Sequence, residues 1–339
     1  MKSQAVVATR PGHVEFQSVT IPDPGPHDVV VGVQHSWISN GTEGSFVRGE
    51  RIGGDTPRQT DDAMPFPHVP GYQKVGRVEW AGAEVTHVQP GDSVFATVSR
   101  VSDMFYDSGG HVSPAVTHKS QVWKLPEDVD PVAASGLILT QVGVNIGLRP
   151  ECKREDRVVV IGDGMVGHWA AQTFQHRGAR VLMLGKHDDR LNRFEVTPLD
   201  RIVNITRQSP LEAVKEWVKT GNSGADDRVQ VVADTVGSIA TVESLLPIMR
   251  RFSHFVSAGF YGSAGRIDIQ KLRDNEMTLH APSGWTSERV AVTLELLRTG
   301  ALKTLPLITH RFPVAEATSA YDLILSRHEP VLGVVLDWE

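Results

Sequence analysis

Residues 157–161 read Arg-Val-Val-Val-Ile and run directly into Gly162-Asp163-Gly164-Met165-Val166-Gly167. A continuous β-branched run is the pattern of a parallel strand covered on both faces. The glycines then follow as G-x-G-x-x-G, and a helical pattern runs from Met165 to about Arg177, stopped near Gly178. In that strand–turn–helix register each glycine has a physical task. Gly162 permits the tight turn, Gly164 lets backbone approach a pyrophosphate with no Cβ in the way, and Gly167 lets helix pack against strand. The helix start, through Gly164, Met165 and Val166, offers N–H groups and a partial positive charge to phosphate. A glycine-rich βα turn that binds nothing is the alternative.

The flanking sequence agrees with a dinucleotide-binding unit. Strands are predicted at 181–184, 229–233 and 254–258, and Ser209-Pro210-Leu211-Glu212 reads as a helix start with a capping box. Strand alternating with helix means a doubly wound parallel sheet. The chain before about residue 127 differs. Short strands at 29–33, 75–80 and 93–98 are punctuated by Pro-Gly pairs, which suggests a small barrel or sandwich. Residues 48–67 read as a long surface loop. Near the end, Val290, Leu294 and Leu297 share one helical face that Gly300 stops, and residues 331–336 resume the strand pattern of the first part. The expected organisation is α/β: a β-rich first part over 1–127, a Rossmann dinucleotide-binding domain over 128–280, and a return over 281–339 that completes the first part.

Composition narrows the function. A net charge of -6 with both signs interspersed argues against a sequence-independent grip on nucleic acid. No apolar run is long enough to cross a bilayer. The single cysteine, Cys152, allows neither an intrachain disulfide nor a structural zinc site. Met1-Lys2-Ser3-Gln4 leads straight into strand-like residues without a signal-peptide pattern, so a cytoplasmic protein is expected.

Several stretches in order resemble the medium-chain dehydrogenase/reductase superfamily. They are Gly41-Thr42-Glu43, Val69-Pro70-Gly71-Tyr72 with Val75-Gly76-Arg77-Val78, Gln89-Pro90-Gly91-Asp92-Ser93-Val94, the glycine motif, Asp234-Thr235-Val236-Gly237, and residues 306–312. The resemblance implies a GroES-like catalytic domain made from both chain ends, an inserted Rossmann domain, and a homodimer. It also implies zinc, and here the sequence departs. The position of the family's catalytic Cys is Asn40, its Gly-His-Glu reads Gly71-Tyr72-Gln73, and the third ligand falls near Leu137. An amide, a phenol and an alkyl group are not zinc ligands, so no metal is expected. Ser39 to Glu43 and Val69 to Gln73 are similar to a zinc-lacking branch that includes bacteriochlorophyllide a dehydrogenases, which implies secondary-alcohol/ketone redox on a fairly large substrate.

Without a metal, side chains must stabilise the developing alkoxide or move the proton. Asn40, Thr42 and Tyr72 are the first candidates, with Gln73 and Glu43 for orientation; each could instead pack an emptied pocket. Nothing in the sequence selects among His68, His111 and His118. Tyr106 and Trp285 could line a cleft. Arg48, Arg51 and Arg58 could meet an anionic substrate or be solvated.

For the cofactor, an acid is expected about 20 residues past the glycines to accept the ribose hydroxyls of NAD. Gly185 stands there, followed by the cations Lys186 and Arg190, which favours NADP(H) over NAD(H). Asp188 or Asp189 supplying the acid later is the alternative. Thr235 and Ala258, at the ends of two further strands, complete the expected cofactor-binding set. The leading expectation is a zinc-independent NAD(P)-dependent oxidoreductase acting on a small-molecule alcohol or carbonyl. An enone or quinone reductase and a non-catalytic nucleotide-binding protein are the alternatives.

Overall fold

A computed structural model describes residues 1–54, 56–220, 228–261 and 265–338. The chain divides into two compact units. The first contains Met1–Ile138, Leu294–Arg298 and Thr304–Glu339; the second contains Leu139–Thr293 and Thr299–Lys303.

The architecture is α/β, a GroES-like β-rich part with a Rossmann parallel sheet. In the second unit, six parallel strands among the described residues lie in the order Arg201–Asn204, Arg180–Gly185, Arg157–Ile161, Val229–Asp234, Met249–Ser257, Thr278–His280. Arg157–Ile161 is buried along its whole length, as its β-branched composition requires. It pairs with Arg180–Gly185 on one side and Val229–Asp234 on the other. The strand order therefore reverses at its carboxyl end, which is where open α/β sheets bind ligands. Apolar clusters cover both faces, Val159, Leu182 and Val232 on one and Val158, Val160 and Val181 on the other. Each such fully buried side chain stabilises by about 1.5–3 kcal/mol.

The first unit holds a sheet whose path runs Val122–Lys124, Ser93–Ala96, Lys74–Ala81, Asp28–Ile38, Gly333–Asp337, Ile308–Pro313, with Ala115–His118 also on Asp28–Ile38. Gly333–Asp337 pairs antiparallel with Asp28–Ile38, so the end of the chain closes the sheet begun at its start.

Some local expectations change. The helix Pro210–Val218 begins where Pro210 predicts, but the Ser209 side chain makes no capping hydrogen bond. The segment 48–67 contains a small pairing of Arg51–Gly53 with Thr56–Pro57. The helix Ala317–Ser326 had no clear signal in the sequence; its buried Ala317, Ala320, Tyr321 and Ile324 show the i, i+3, i+4 spacing of one apolar face.

Candidate functional site

In the parallel-sheet unit the glycine motif forms the turn between Arg157–Ile161 and the helix Met165–His176. Gly162 has φ +123° and donates its N–H to the Leu184 carbonyl at 2.8 Å. A Cβ there would lie 2.3 Å from Thr235 Oγ1, so both conformation and space require glycine. A Cβ on Gly167 would lie 2.1 Å from the Gly162 carbonyl oxygen, which shows how tightly helix and turn pack. Gly164 is the helix N-cap, makes no side-chain cap, and faces open space where a Cβ would be. The first-turn N–H groups have no carbonyl inside the helix to donate to. An open cradle at a twelve-residue helix start fits a pyrophosphate.

Around this turn, Thr235 donates its hydroxyl to the Ile161 carbonyl at 2.8 Å. Met165 is buried, whereas Val166, Thr235 and Ala258 are half-buried at the same end of the sheet. Lys186 is exposed and Arg190 half-buried after the buried Gly185. Asp163 is a residue that sequence reasoning passed over. Its carboxylate, 6% exposed, accepts the N–H groups of Lys186 and His187 at 2.7 and 2.8 Å. The cue was the acid inside the glycine motif. The pattern gives that position no role, so the cue carried no meaning without the fold.

In the β-rich unit, Ser39, Asn40, Thr42 and Glu43 form the turn into a short helix, Thr42–Val47. Glu43 is 2% exposed. Its Oε1 accepts the Ser39 N–H at 2.7 Å, and its Oε2 accepts from His111 Nε2 at 2.8 Å and the Tyr321 hydroxyl at 2.7 Å. His111, fully buried, places Nδ1 2.8 Å from Ser36 Oγ, which also accepts from Trp338 Nε1 at 2.8 Å. The pattern closes with the ring proton on Nε2 and the Ser36 hydroxyl donating to Nδ1, an assignment made from the network. Gly71, at φ +90°, lets the chain pass the His111 ring, since a Cβ there would lie 2.7 Å from it. The buried carboxylate is thus met by three donors, as a buried charge requires.

Tyr72 is half-buried beside this network. Its hydroxyl is hydrogen-bonded with the Ser39 and Thr42 side chains. Burial holds the phenol well above its ordinary range, and the Glu43 charge adds to the effect. Tyr72 is therefore a donor at neutral pH. Asn40 donates its amide N–H to the Leu332 carbonyl at 2.7 Å, and its Oδ1 is buried without a hydrogen-bond partner. Gln73 is fully buried. The structure thus brings Tyr72, Thr42 and Glu43 together, with Asn40 in the same turn.

The three positions implied as metal ligands carry Asn40, Tyr72 and a fully buried Leu137. Asn40 spends its N–H on backbone, Tyr72 stays a phenol, and Leu137 has no donor atom. This set does not fit zinc. Among the described residues, no three His, Cys, Asp or Glu side chains come together to hold a metal.

The structure sorts the histidines that the sequence could not. His111 enters the network. His68 is 2% exposed in an aromatic cluster with Phe66 and Tyr106, and donates from Nδ1 to the Pro65 carbonyl at 2.6 Å. His118 is exposed and caps a short turn through Ser120. The loop arginines serve their own loop. Arg48 pairs with Glu50, Arg58 donates to the Gly49 carbonyl at 3.0 Å, and Arg51 is 3% exposed and donates to the Gly54 carbonyl. Tyr106 donates to the Ile52 carbonyl at 2.8 Å, and Trp285, in the other unit, is 37% exposed. Another unpredicted group is Lys74, fully buried, whose Nζ donates to the Thr97 and Gly110 carbonyls at 2.7 and 3.0 Å. Burial pushes its pKa down to about 7.

No family model matches the chain. It is 26% identical over 344 residues to the 2-desacetyl-2-hydroxyethyl bacteriochlorophyllide A dehydrogenase of Rhodobacter capsulatus, covering 100% of this chain and 99% of that protein. It is 24% identical over 342 residues to the sorbitol dehydrogenase of Macaca fascicularis, covering 95% and 92%. Its fold matches an alcohol dehydrogenase of Escherichia coli CFT073 solved with NADH, at a TM-score of 0.83, 19% identity and 99% of both chains. It also matches a protein of Sinorhizobium meliloti 1021 described as a zinc-binding dehydrogenase and bound to NADP, at a TM-score of 0.80, 19% identity and 100% of both chains. Along its whole length and in its fold, the chain is similar to oxidoreductases of the medium-chain dehydrogenase/reductase superfamily.

Proposed function

We propose that the chain is a zinc-independent, NADP(H)-dependent oxidoreductase that interconverts a secondary alcohol and a ketone on a fairly large substrate. The observation that carries this is the donor set of the β-rich unit. Where the superfamily resemblance implies metal ligands stand an amide, a phenol and an alkyl group, with Glu43 already saturated by three donors. The first relative named above acts, by its name, on a hydroxyethyl group of a bacteriochlorophyllide. From it we carry over only the secondary alcohol and the large size.

The Gly162–Gly167 turn and its helix hold the pyrophosphate, flanked by Thr235 and Ala258. When bound, the nicotinamide supplies or takes up the hydride. Tyr72, kept protonated by burial, donates a hydrogen bond to the substrate oxygen and stabilises the charge that develops there, while the proton is released to water in alcohol oxidation and taken from water in ketone reduction. Ser39 and Thr42 aim its hydroxyl. Glu43 is fixed from three sides and holds the Ser39 turn, and Gln73 stays an orienting residue. The 2′-phosphate preference rests on Gly185, which offers no acid, and on the cations Lys186 and Arg190.

We further place the protein in the cytoplasm as a homodimer. Among the described residues no helix is long and apolar enough to cross a membrane. The strand Thr278–His280, last in the parallel sheet, exposes Leu279. Sedimentation giving a monomer would remove the dimer.

The test is turnover of purified chain with NADPH and NADH on secondary alcohols, sugars, ketones and enones, with and without chelator. Alcohol and ketone turnover that survives chelation is expected. Activity on enones alone shifts the assignment to an enone reductase. Binding with no turnover leaves a nucleotide-binding protein. One zinc per chain with chelator-sensitive turnover overturns the metal-free reading.

A further inference from the structure

We propose that Asp163, inside the glycine motif, is a positioning residue that sets the choice between phosphorylated and unphosphorylated dinucleotide. This rests on the reading that the turn binds NADP(H). Its Oδ2 takes the N–H of Lys186 at 2.7 Å, the N–H of His187 at 2.8 Å and His187 Nδ1 at 3.0 Å. Its Oδ1 lies 3.7 Å from the Arg190 guanidinium. One carboxylate thus gathers the whole segment that follows the strand Arg180–Gly185.

The same side chain explains Gly185. A Cβ at 185 would lie 2.5 Å from Asp163 Cβ and 2.6 Å from its Oδ2. The room in which a strand-end acid would meet the ribose is filled by Asp163. Its charge is turned inward: one oxygen takes three donors and the other faces Arg190. No acid is left at position 185 to accept a ribose 2′-hydroxyl.

What the segment leaves outward is mixed, since Asp189 is exposed as well. Lys186 is exposed, and the His187 side chain is 44% exposed. The Arg190 side chain is 23% exposed, and its contact with Asp163 at 3.7 Å is an ion pair longer than a hydrogen bond. A guanidinium with donors to spare is suited to a phosphomonoester. Of the two acids that follow, Asp188 is already bonded to Asn204 at 2.8 Å and paired with Arg207, whereas Asp189 is exposed. The grip of Asp163 therefore fixes the backbone at Lys186 and His187 and keeps the Arg190 guanidinium beside the end of the strand.

The experiment titrates wild type, Asp163→Ala, Asp163→Asn and Arg190→Ala with NADPH and NADH, reading dissociation constants by cofactor fluorescence. Asp163→Ala is expected to weaken NADPH about tenfold or more and NADH less than about threefold. Asp163→Asn keeps an acceptor for the two backbone N–H groups and is expected to stay within about threefold of wild type for both. Arg190→Ala tests the grouping even where Asp163→Ala does not fold, and is expected to lose NADPH selectively. Equal weakening of both dinucleotides by Asp163→Ala and by Arg190→Ala means a merely structural role and overturns the proposal. NADPH binding that tightens in Asp163→Ala means that the carboxylate repels the phosphate, and overturns it too. Wild type that binds neither dinucleotide overturns the underlying reading, and the proposal with it.

Discussion

At the glycine turn the decisive contacts are made by backbone. Gly162, Gly164 and Gly167 matter for what they lack, and each answers to a distance or an open space within a few residues of itself. In the β-rich unit the decisive contacts are made by side chains far apart in sequence. Glu43 meets His111 and Tyr321, and His111 meets Ser36, which meets Trp338. A backbone cradle is intolerant of added atoms and indifferent to chemistry. A side-chain network is intolerant of lost partners.

The largest effect should fall on the backbone side. Gly167→Val pushes atoms into the Gly162 carbonyl, 2.1 Å from the Cβ position, and should destabilise the parallel-sheet unit by about 3 kcal/mol or more in denaturant melts. A variant as stable as wild type would mean that the turn is not tightly packed.

Next comes a buried charge in the β-rich unit. The folded state holds Lys74 at a pKa of about 7, against about 10.4 for an unfolded chain. Between those values the unfolded state binds more protons, so stability should rise with pH across that window, by several kcal/mol in total. Below about pH 7 both states are protonated and this slope vanishes. Melts of Lys74→Met at several pH values should lose the slope, and a persisting slope would assign it to another group.

The third effect concerns chemistry. Tyr72→Phe should lower turnover roughly 100-fold and leave cofactor dissociation constants unchanged. Unchanged turnover would reduce Tyr72 to packing. The smallest effect is Lys186→Ala, exposed and without structural contacts of its side chain to lose. It should weaken NADPH by roughly fivefold relative to NADH. Equal losses would remove Lys186 from the phosphate group.

The same contrast explains what could be read from the sequence. The Rossmann unit was legible because its signal is local: a β-branched strand, three glycines and a helix lie within about 20 residues. The positions that the family resemblance implies as metal ligands could be located too, because they sit inside recognisable short motifs. His111 was invisible as a partner of Glu43, since their contact spans 68 residues and nothing local marks it. Tyr321 lies 278 residues from Glu43, on a helix whose apolar spacing was hidden in an unremarkable stretch. Asp163 was in plain view, but its meaning depends on Gly185, 22 positions away across a strand pair. Ser209 shows the converse failure, a local capping signal that the fold does not use.

Gly164 offers the most direct test of the central claim, that the turn after residue 161 binds a dinucleotide. Its Cβ position is open in the ligand-free fold, so Gly164→Val should melt like wild type while filling the space that a pyrophosphate needs. Fluorescence titration should show wild type binding NADPH and the variant weakened about 100-fold or more for both dinucleotides. A folded Gly164→Val that binds as tightly as wild type would place the cofactor elsewhere and contradict the account.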